Sequence, residues 1–231
     1  MLELVDVTSF YGKTPIIMDI SLSVPKGSCL CVLGRNGVGK TTLLQTIMGL
    51  TTRATGALRI AGVNVTEQPT HLRANAGLGY VPQGRRILGK FTVRENLQLG
   101  TFARGDSVHT IPESCLEIFP YLRDNLDKRA GLLSGGQQQQ LAIARALATD
   151  PRILLLDEPT EGIQPNIVAE IEAVLMRLNK DLGITLVLTE QHIKIAKELS
   201  DLFIIMDVGR VVEHGHIDQL TDDLLHSYLT I

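Results

Sequence analysis

One nine-residue stretch constrains this chain more than any other: Gly34-Arg35-Asn36-Gly37-Val38-Gly39-Lys40-Thr41-Thr42. It fits the pattern G-x-x-x-x-G-K-[ST], in which glycines shape a loop that wraps phosphate groups. The apolar run Cys29–Leu33 before it predicts a buried parallel strand. Apolar residues at helical spacing after it predict a helix that ends at Gly49. Strand, glycine loop and helix form the arrangement that this pattern requires.

Each residue type in this loop has a chemical reason. Gly34, Gly37 and Gly39 allow backbone conformations closed to other residues, so that successive N–H groups can point inward at an anion. The helix that follows adds its N-terminal donors and the positive end of its dipole. Lys40 supplies a positive charge for the outer phosphates, and Thr41 supplies a hydroxyl for Mg²⁺. The alternative interpretation is a glycine-rich turn at a helix start, with a merely solvated lysine.

Composition limits the class of protein. The 231 residues are 44% hydrophobic and 20% charged, which suits one large domain or two small lobes with a sizeable core. The net charge of −3, the absence of tryptophan and the few aromatic residues argue against a nucleic-acid partner. No apolar run approaches the roughly 20 residues that span a bilayer, and no signal peptide is visible. Cys29, Cys31 and Cys115 indicate reduced thiols in a cytosolic protein.

Short strands are predicted on both sides of the phosphate loop. Ile20, Leu22 and Val24 alternate with polar residues, which predicts a half-buried antiparallel strand. Residues 58–65 predict a hairpin around Ala61-Gly62, and residues 10–13 predict a turn. The antiparallel segments and the buried parallel strands together indicate an α/β fold.

A mostly helical stretch interrupts the strands. Residues 92–148 predict helices with breaks at Pro112, Pro120 and Gly131, and residues 217–228 predict a C-terminal helix. We interpret the chain as a single domain in which residues 1–83 and 151–231 form a nucleotide-binding core and residues 84–150 form a helical lobe.

Two acids after a buried strand are the second chemical signal. The apolar run 153–156 predicts a parallel strand that ends in Asp157-Glu158. Side chains at the carboxyl end of such a strand face the crevice where ligands bind. Asp157 can hold Mg²⁺ through water, and Glu158 can polarise an attacking water molecule. The alternative is a solvated strand end.

Two further features carry weaker signals. The segment Leu133-Ser134-Gly135-Gly136-Gln137 opens a helix whose first N–H groups can bind an anion. His214 and His216 alternate near a glycine, so they form either a metal pair or a polar strand end.

With these motifs in their order and spacing, the chain resembles the ATP-binding subunit of an ABC transporter over essentially its whole length. The resemblance implies a P-loop NTPase core with a mostly parallel sheet, an antiparallel β subdomain and an inserted helical lobe. It also implies ATP hydrolysis coupled to transmembrane transport, with ATP and Mg²⁺ as cofactors.

The resemblance also assigns roles position by position. Glu158 corresponds to the general base, and Tyr11 corresponds to the aromatic residue that stacks on adenine. The residues assigned to catalysis are Glu158, Gln83, Gln191 and Lys40. The other residues assigned to nucleotide binding are Gly34, Arg35, Asn36, Gly37, Val38, Gly39, Thr41 and Thr42. The residues assigned to Mg²⁺ are Thr41, Gln83 and Asp157. The signature, which contacts the ATP of a partner subunit, comprises Leu133, Ser134, Gly135, Gly136 and Gln137.

Two positions depart from the common family pattern. Gln164 stands where the loop after the acidic strand usually ends in aspartate, and Gln191 stands where the switch histidine is expected. A glutamine can donate a hydrogen bond to a γ-phosphate, but it does not carry a proton-linked charge. We therefore interpret Gln191, rather than His192, as the switch residue.

Both departures resemble the subclass that serves branched-chain amino acid and urea or amide importers. Residues 157–165 and 79–85 are most similar to the urea-transporter ATPase subunit. The resemblance therefore implies import of a small polar solute, urea or a short-chain amide. The alternatives are a branched-chain amino acid importer, a lipid or lipopolysaccharide exporter, and a soluble ABC ATPase without a transport role.

The same resemblance implies partners and a location. The partners are a second ATPase subunit, either a paralogue or a second copy, two transmembrane permease subunits and, indirectly, a periplasmic solute-binding protein. No nucleic-acid partner is expected. The implied location is peripheral, at the cytoplasmic face of the inner membrane.

Overall fold

The computed structural model describes residues 1–104 and 109–229, which contain two β-sheets and a set of helices packed around them. The strands are β1 Leu2–Tyr11, β2 Thr14–Val24, β3 Cys29–Leu33, β4 Arg53–Ile60, β5 Val63–Asn64, β6 Leu78–Val81, β7 Ile153–Asp157, β8 Thr185–Glu190, β9 Leu202–Asp207 and β10 Arg210–His216. The α-helices are α1 Lys40–Met48, α2 Thr70–Asn75, α3 Val93–Thr101, α4 Glu113–Ile118, α5 Pro120–Asp124, α6 Gly135–Leu147, α7 Pro165–Met176, α8 Ile193–Leu199 and α9 Asp222–Leu229.

The larger sheet has six strands in the order β10-β9-β3-β8-β7-β6, and all neighbours are parallel except β10 with β9. Its central strands are apolar runs because the sheet is covered on both faces. In β3, Cys29 and Cys31 point into one core, whereas Leu30 and Val32 point into the other. The period-two alternation of a strand thus divides its residues between two cores.

The smaller sheet and α1 cover the face of the larger sheet that carries Leu30 and Val32. Its order is β2-β1-β4-β5, and every pairing is antiparallel. Leu4 pairs with Leu22, and Leu2 pairs with Ile60, so these apolar side chains line the same buried face. The predicted hairpin around Ala61 is formed by β4 and β5.

The opposite face carries the other core, to which α6 contributes more buried residues than any other described helix. Among the described residues, the four α-helices α3 to α6 come between β6 and β7 in the chain. Their breaks agree with the prediction: α4 begins after Pro112, Pro120 is the first residue of α5, and Gly131 lies in a short 3-10 helix. The α/β fold class is confirmed, and the division of the domain at residues 84 and 150 stays a prediction.

Two predicted element boundaries are wrong. Phe10 and Tyr11 complete β1, and only residues 12–13 form the turn, because both residues pair with β2 and Arg53 packs on the Phe10 ring. The predicted C-terminal helix is a 3-10 helix, Ile217–Gln219, followed by the separate α9. The α9 helix starts anew because the Thr221 hydroxyl accepts the Leu224 N–H.

The parallel strands bring the predicted motifs to one edge of the sheet. β3, β6, β7 and β8 run in the same direction, so their carboxyl ends meet. Leu33 pairs with Glu190, and Asp157 pairs with Thr189. The segments that follow these four strands contain the phosphate loop, Gln83, Glu158 and Gln191, and they define the candidate site. Within the described ranges, no helix is long and apolar enough to cross a membrane.

Candidate active site

The phosphate loop joins β3 to α1 in a conformation that requires glycine. At Gly34 the backbone φ is +153°, and an added Cβ would lie 2.7 Å from the Met206 carbonyl oxygen. Gly39, with φ of +112°, immediately precedes the first residue of α1. The N-terminus of a nine-residue helix therefore opens directly onto the loop, where its unpaired N–H groups favour an anion.

Lys40 is held over this loop although its side chain is only 5% exposed. Its Nζ donates to the carbonyl oxygens of Gly34 at 2.8 Å and Arg35 at 3.2 Å. The same nitrogen lies 3.4 Å from Oε1 of Glu158. The loop therefore keeps a buried positive charge in place, balanced by a carboxylate from the segment that follows β7.

Three hydroxyl groups converge on Asp157. Thr41 Oγ1 donates to its Oδ1 at 3.1 Å, and Thr189 Oγ1 donates to the same oxygen at 2.9 Å. The Tyr80 hydroxyl donates to Oδ2 at 3.4 Å. Burial raises the pKa of the Asp157 carboxyl, and the threonine hydrogen bonds oppose this shift. The acid is thus fixed in orientation at the entrance to α1.

Three nitrogen donors converge on the Glu158 carboxylate. Gln191 Nε2 donates to Oε1 at 2.8 Å, Gln83 Nε2 donates to Oε2 at 3.1 Å, and Lys40 is the third. The backbone of Glu158 has φ of +47°, a left-handed conformation that costs a non-glycine residue about 1–2 kcal/mol. Its own N–H donates to Thr189 Oγ1 at 2.9 Å. Local strain and a shared set of hydrogen bonds therefore set the direction of this acid.

These groups surround a cavity of about 320 Å³. The predicted site residues that line it are Asn36, Gly37, Gly39, Lys40, Thr41, Thr42, Gln83 and Glu158. Ile16 and Glu161 complete the lining, and Glu161 accepts a hydrogen bond of 2.8 Å from Gln83 Nε2. The structure thus gathers most of the loop, Gln83 and Glu158 around one space, whereas Asp157 lines a neighbouring cavity together with Thr41 and Gln83.

Other predicted residues lie outside this lining. Val38 is buried in the core, and Tyr11 is 41% exposed with its hydroxyl donating to Gln45. Gln164 is exposed at the start of α7. His192 lines a different cavity between α7 and α8, so it is Gln191 that the structure brings to Glu158.

The signature segment, Leu133–Gln137, forms the N-terminus of α6 and is also absent from the cavity lining. Ser134 Oγ accepts the Gln137 N–H, and Gln137 Oε1 accepts the Ser134 N–H, so the two residues cap the helix reciprocally. Gly136 packs against α7, whereas Ser134 is exposed. The segment therefore presents a capped helix start at the protein surface.

The donor set near Thr41 fits Mg²⁺ chemically. It contains the Thr41 hydroxyl, the Asp157 carboxylate and the Gln83 amide, and Mg²⁺ prefers oxygen ligands. In the part of the chain that the structure describes, no group of three or more His, Cys, Asp or Glu side chains could hold a metal. Mg²⁺ beside a nucleotide is typically held by one or two carboxylates, with phosphate and water completing its shell. His214 and His216 are both exposed on β10.

Sequence reasoning missed four residues at this edge: Thr189, Tyr80, Glu161 and Glu190. Thr189 and Tyr80 lie within strands, where a polar residue gives no motif of its own. Glu190 ends β8, and the rule that ligands bind at the carboxyl ends of parallel strands could have drawn attention to it.

A family model described as "ABC transporter" matches residues 17–161 of this chain. The chain is 38% identical to the high-affinity branched-chain amino acid transport ATP-binding protein BraG of Pseudomonas aeruginosa, over 93% of this chain and 92% of that protein. It is 35% identical to the probable branched-chain amino acid transport ATP-binding protein LivF of Archaeoglobus fulgidus, over 96% and 94%.

A solved structure shares the fold of this chain. The dimeric post-hydrolysis state of the ATP-binding cassette MJ0796, bound to ADP and Pi, superposes with a TM-score of 0.82. The two sequences are 27% identical, over 94% of this chain and 99% of that one. The chain therefore belongs to the ABC transporter family, as an ATP-binding cassette that hydrolyses ATP.

Proposed function

We propose that this cassette powers an importer of a small polar solute and that Glu158 is its general base. The observation that carries the proposal is the convergence of the segments after β3, β6 and β7 on one cavity, with Lys40, Gln83 and Glu158 in its lining. Asp157 lies beside it and accepts a hydrogen bond from the Thr41 hydroxyl. Phosphoryl transfer needs little covalent chemistry from a protein, and depends on positioning and on charge stabilisation. These residues supply both.

Binding of ATP begins with the charge of Lys40. In the structure its ammonium group is hydrogen-bonded to the Gly34 and Arg35 carbonyl oxygens. When ATP binds, this group turns toward the outer phosphates of the nucleotide. The N–H groups at the start of α1 accommodate the remaining negative charge. Tyr11, exposed at the end of β1, offers its ring to the adenine base.

Hydrolysis requires a water molecule in line with the γ-phosphate. Glu158 accepts a proton from this water, while Gln191 and Gln83 keep the carboxylate directed at it. Mg²⁺, when bound by Thr41, Gln83 and, through water, Asp157, would neutralise charge on the outer phosphates. The residues of this chain thus position the acceptor for the proton and the oxygen donors for the ion.

We propose that a second cassette completes the site. The signature, Leu133–Gln137, lies at the surface rather than in the cavity of its own chain, and a helix N-terminus favours a phosphate. The similarity to a cassette solved as a dimer supports pairing, and the family resemblance implies a head-to-tail pair with two ATP molecules between the subunits. The second subunit is a paralogue or another copy of this chain.

We further propose that membrane subunits dock beside the helices inserted after β6. A groove of about 620 Å³ lies there, and its lining includes exposed Leu50 and Leu99 together with Tyr80. Gln83, two residues beyond β6, links the cavity to this region. Opening and closing around the nucleotide would therefore move the docking surface. Two permease subunits and a periplasmic solute-binding protein complete the proposed assembly, at the cytoplasmic face of the inner membrane.

Two classes of transported solute are supported, one by the curated relatives and one by a loop of the sequence. The similarity to BraG and LivF favours branched-chain amino acids. The loop Thr160-Glu161-Gly162-Ile163-Gln164, which resembles that of urea-transporter ATPases, favours urea or a short amide. Uptake of labelled leucine and labelled urea in a strain lacking this chain distinguishes them, since the uptake of only one should fall.

The same strain tests the transport function through Lys40→Met. Wild-type protein should restore uptake, and Lys40→Met should not, because the variant lacks the charge that holds the outer phosphates. Lys26→Met is the matched control, because Lys26 is exposed in the turn before β3. Equal uptake with Lys40→Met and wild type would refute the proposal.

A further inference from the structure

A buried acid beside the site has no role in the reaction as described above. Glu190 ends β8 and pairs with Leu33 of β3, yet it is only 2% exposed. A buried carboxylate is unfavourable unless it is hydrogen-bonded. Burial raises the pKa of the Glu190 carboxyl, and the hydrogen bonds that it accepts oppose this shift. If Glu190 served only to fill space in the core, an apolar residue could take its place at lower energy.

The hydrogen bonds of Glu190 join two loops of the site. Its Oε1 accepts from Thr160 Oγ1 at 2.7 Å, and its Oε2 accepts from the Gln191 N–H at 3.3 Å. Thr160 stands two residues after Glu158, and the Gln191 side chain donates back to Glu158 Oε1 at 2.8 Å. The connections form a closed ring through Glu158, Thr160, Glu190 and Gln191, which we call the Glu190 ring.

We propose that Glu190 is a positioning residue for ATP hydrolysis, which fixes Gln191 relative to Glu158 by anchoring Thr160 and the Gln191 backbone together. The inference rests on the proposed roles of Glu158 and Gln191. The two oxygens of a carboxylate are both needed, because each accepts from a different loop. In Glu190→Gln, one oxygen becomes an amide nitrogen, so both contacts survive only if the Thr160 hydroxyl turns from donor to acceptor, and both hydrogen bonds then lose the charge of the carboxylate.

The test measures steady-state ATPase activity of the assembled transporter, with wild type and with Glu190→Gln. The variant should lower kcat by about 10-fold to 100-fold, the effect of a misplaced reacting group, while KM for ATP stays within about threefold. Thr160→Val, which breaks the same ring from the other loop, should have a similar effect. Thr160→Ser, which keeps the hydroxyl, should retain kcat within about threefold.

A double variant separates positioning from stability. Glu190→Gln with Thr160→Val should be no slower than the slower single variant, because both remove one ring. Val187→Ala, in the same strand but buried in the other core, is the control for stability: it should lower the melting temperature and leave kcat unchanged. Thr160→Val keeps the test valid if Glu190→Gln does not fold.

Several results would overturn the inference: unchanged kcat in both Glu190→Gln and Thr160→Val, a rise in KM with kcat intact, or effects that add in the double variant. Glu158→Gln, assayed in parallel, distinguishes this failure from failure of the proposed function. If Glu158→Gln abolishes turnover and the ring variants do not impair it, only the role of Glu190 is wrong.

Discussion

The signature glycine Gly136 lies so close to α7 that a single added methyl group should disturb both elements. A Cβ built there would stand 2.5 Å from Cγ2 of Ile167, whereas carbon atoms in contact are about 3.5–4.0 Å apart. Such overpacking costs about 1–3 kcal/mol. Alanine regains up to about 1 kcal/mol of helix propensity over glycine. Gly136→Ala should therefore lower the free energy of unfolding by about 0–2 kcal/mol.

A double-mutant cycle isolates the steric part of this effect. Ile167 is partly buried, so Ile167→Ala alone should cost about 1–2 kcal/mol, less than at a fully buried site. In the double variant the 2.5 Å contact with Cγ2 is removed and only the 3.2 Å contact with the Cβ of residue 167 remains, so the two effects should couple favourably by about 1–3 kcal/mol in urea denaturation. Gly135→Ala is the matched control, because its Cβ would meet only the end of the flexible Arg85 side chain.

ATPase activity adds a second readout to this cycle. The Gly136 Cβ would point at Ile167 of α7, so the disturbance should arise at the contact between α6 and α7. Gly136→Ala with Ile167→Ala should therefore regain ATPase activity to within about threefold of Ile167→Ala. A coupling energy below about 0.5 kcal/mol would refute the steric argument, because that is the size expected for independent sites.

Two further predictions concern buried charges. Asp157→Asn keeps an acceptor for both threonines, so it should raise the free energy of unfolding by about 0.5–2 kcal/mol at pH 7 while abolishing Mg²⁺-dependent ATPase activity. Because the folded pKa of Asp157 is raised, its stabilising contribution is complete below the unfolded pKa near 4 and is lost as the pH rises through the folded value. The gain from Asp157→Asn, measured by urea denaturation, should therefore grow with pH, and a gain independent of pH would contradict this. Arg73→Met should lower the free energy of unfolding by about 3–5 kcal/mol, because the buried guanidinium donates to four backbone carbonyls, two of them in α1. Arg59→Met, at an exposed ion pair, should change it by less than about 1 kcal/mol, and equal effects of the two variants would show that the four hydrogen bonds contribute little.

The parts of the site that could be predicted from sequence are those encoded locally. The loop around Lys40 and the acids Asp157 and Glu158 each lie next to a strand whose apolar run is readable by itself. Gln191 was found only by counting positions in a family pattern. Its place beside Glu158 is a consequence of the pairing of β7 with β8.

The residues that were missed depend on pairing between distant segments. Thr189 bonds Asp157 because the two are partners in the register of β7 and β8, separated by 32 positions in the chain. The C-terminal boundary was missed for a different reason. The apolar pattern continues from residue 217 to 228, but the cap at Thr221 starts a new helix within it.

The central claim is that Glu158 activates the water that attacks ATP in a site closed by a second cassette. It is tested most directly by Glu158→Gln in the assembled transporter, with ATP and Mg²⁺ in excess. The variant should retain unhydrolysed ATP at two molecules per pair of cassettes, with turnover reduced by about 10²-fold to 10⁴-fold. Glu213→Gln, on strand β10 away from the cavity, should turn over like wild type. Turnover by Glu158→Gln within tenfold of wild type, or one cassette holding ATP alone, would contradict the account.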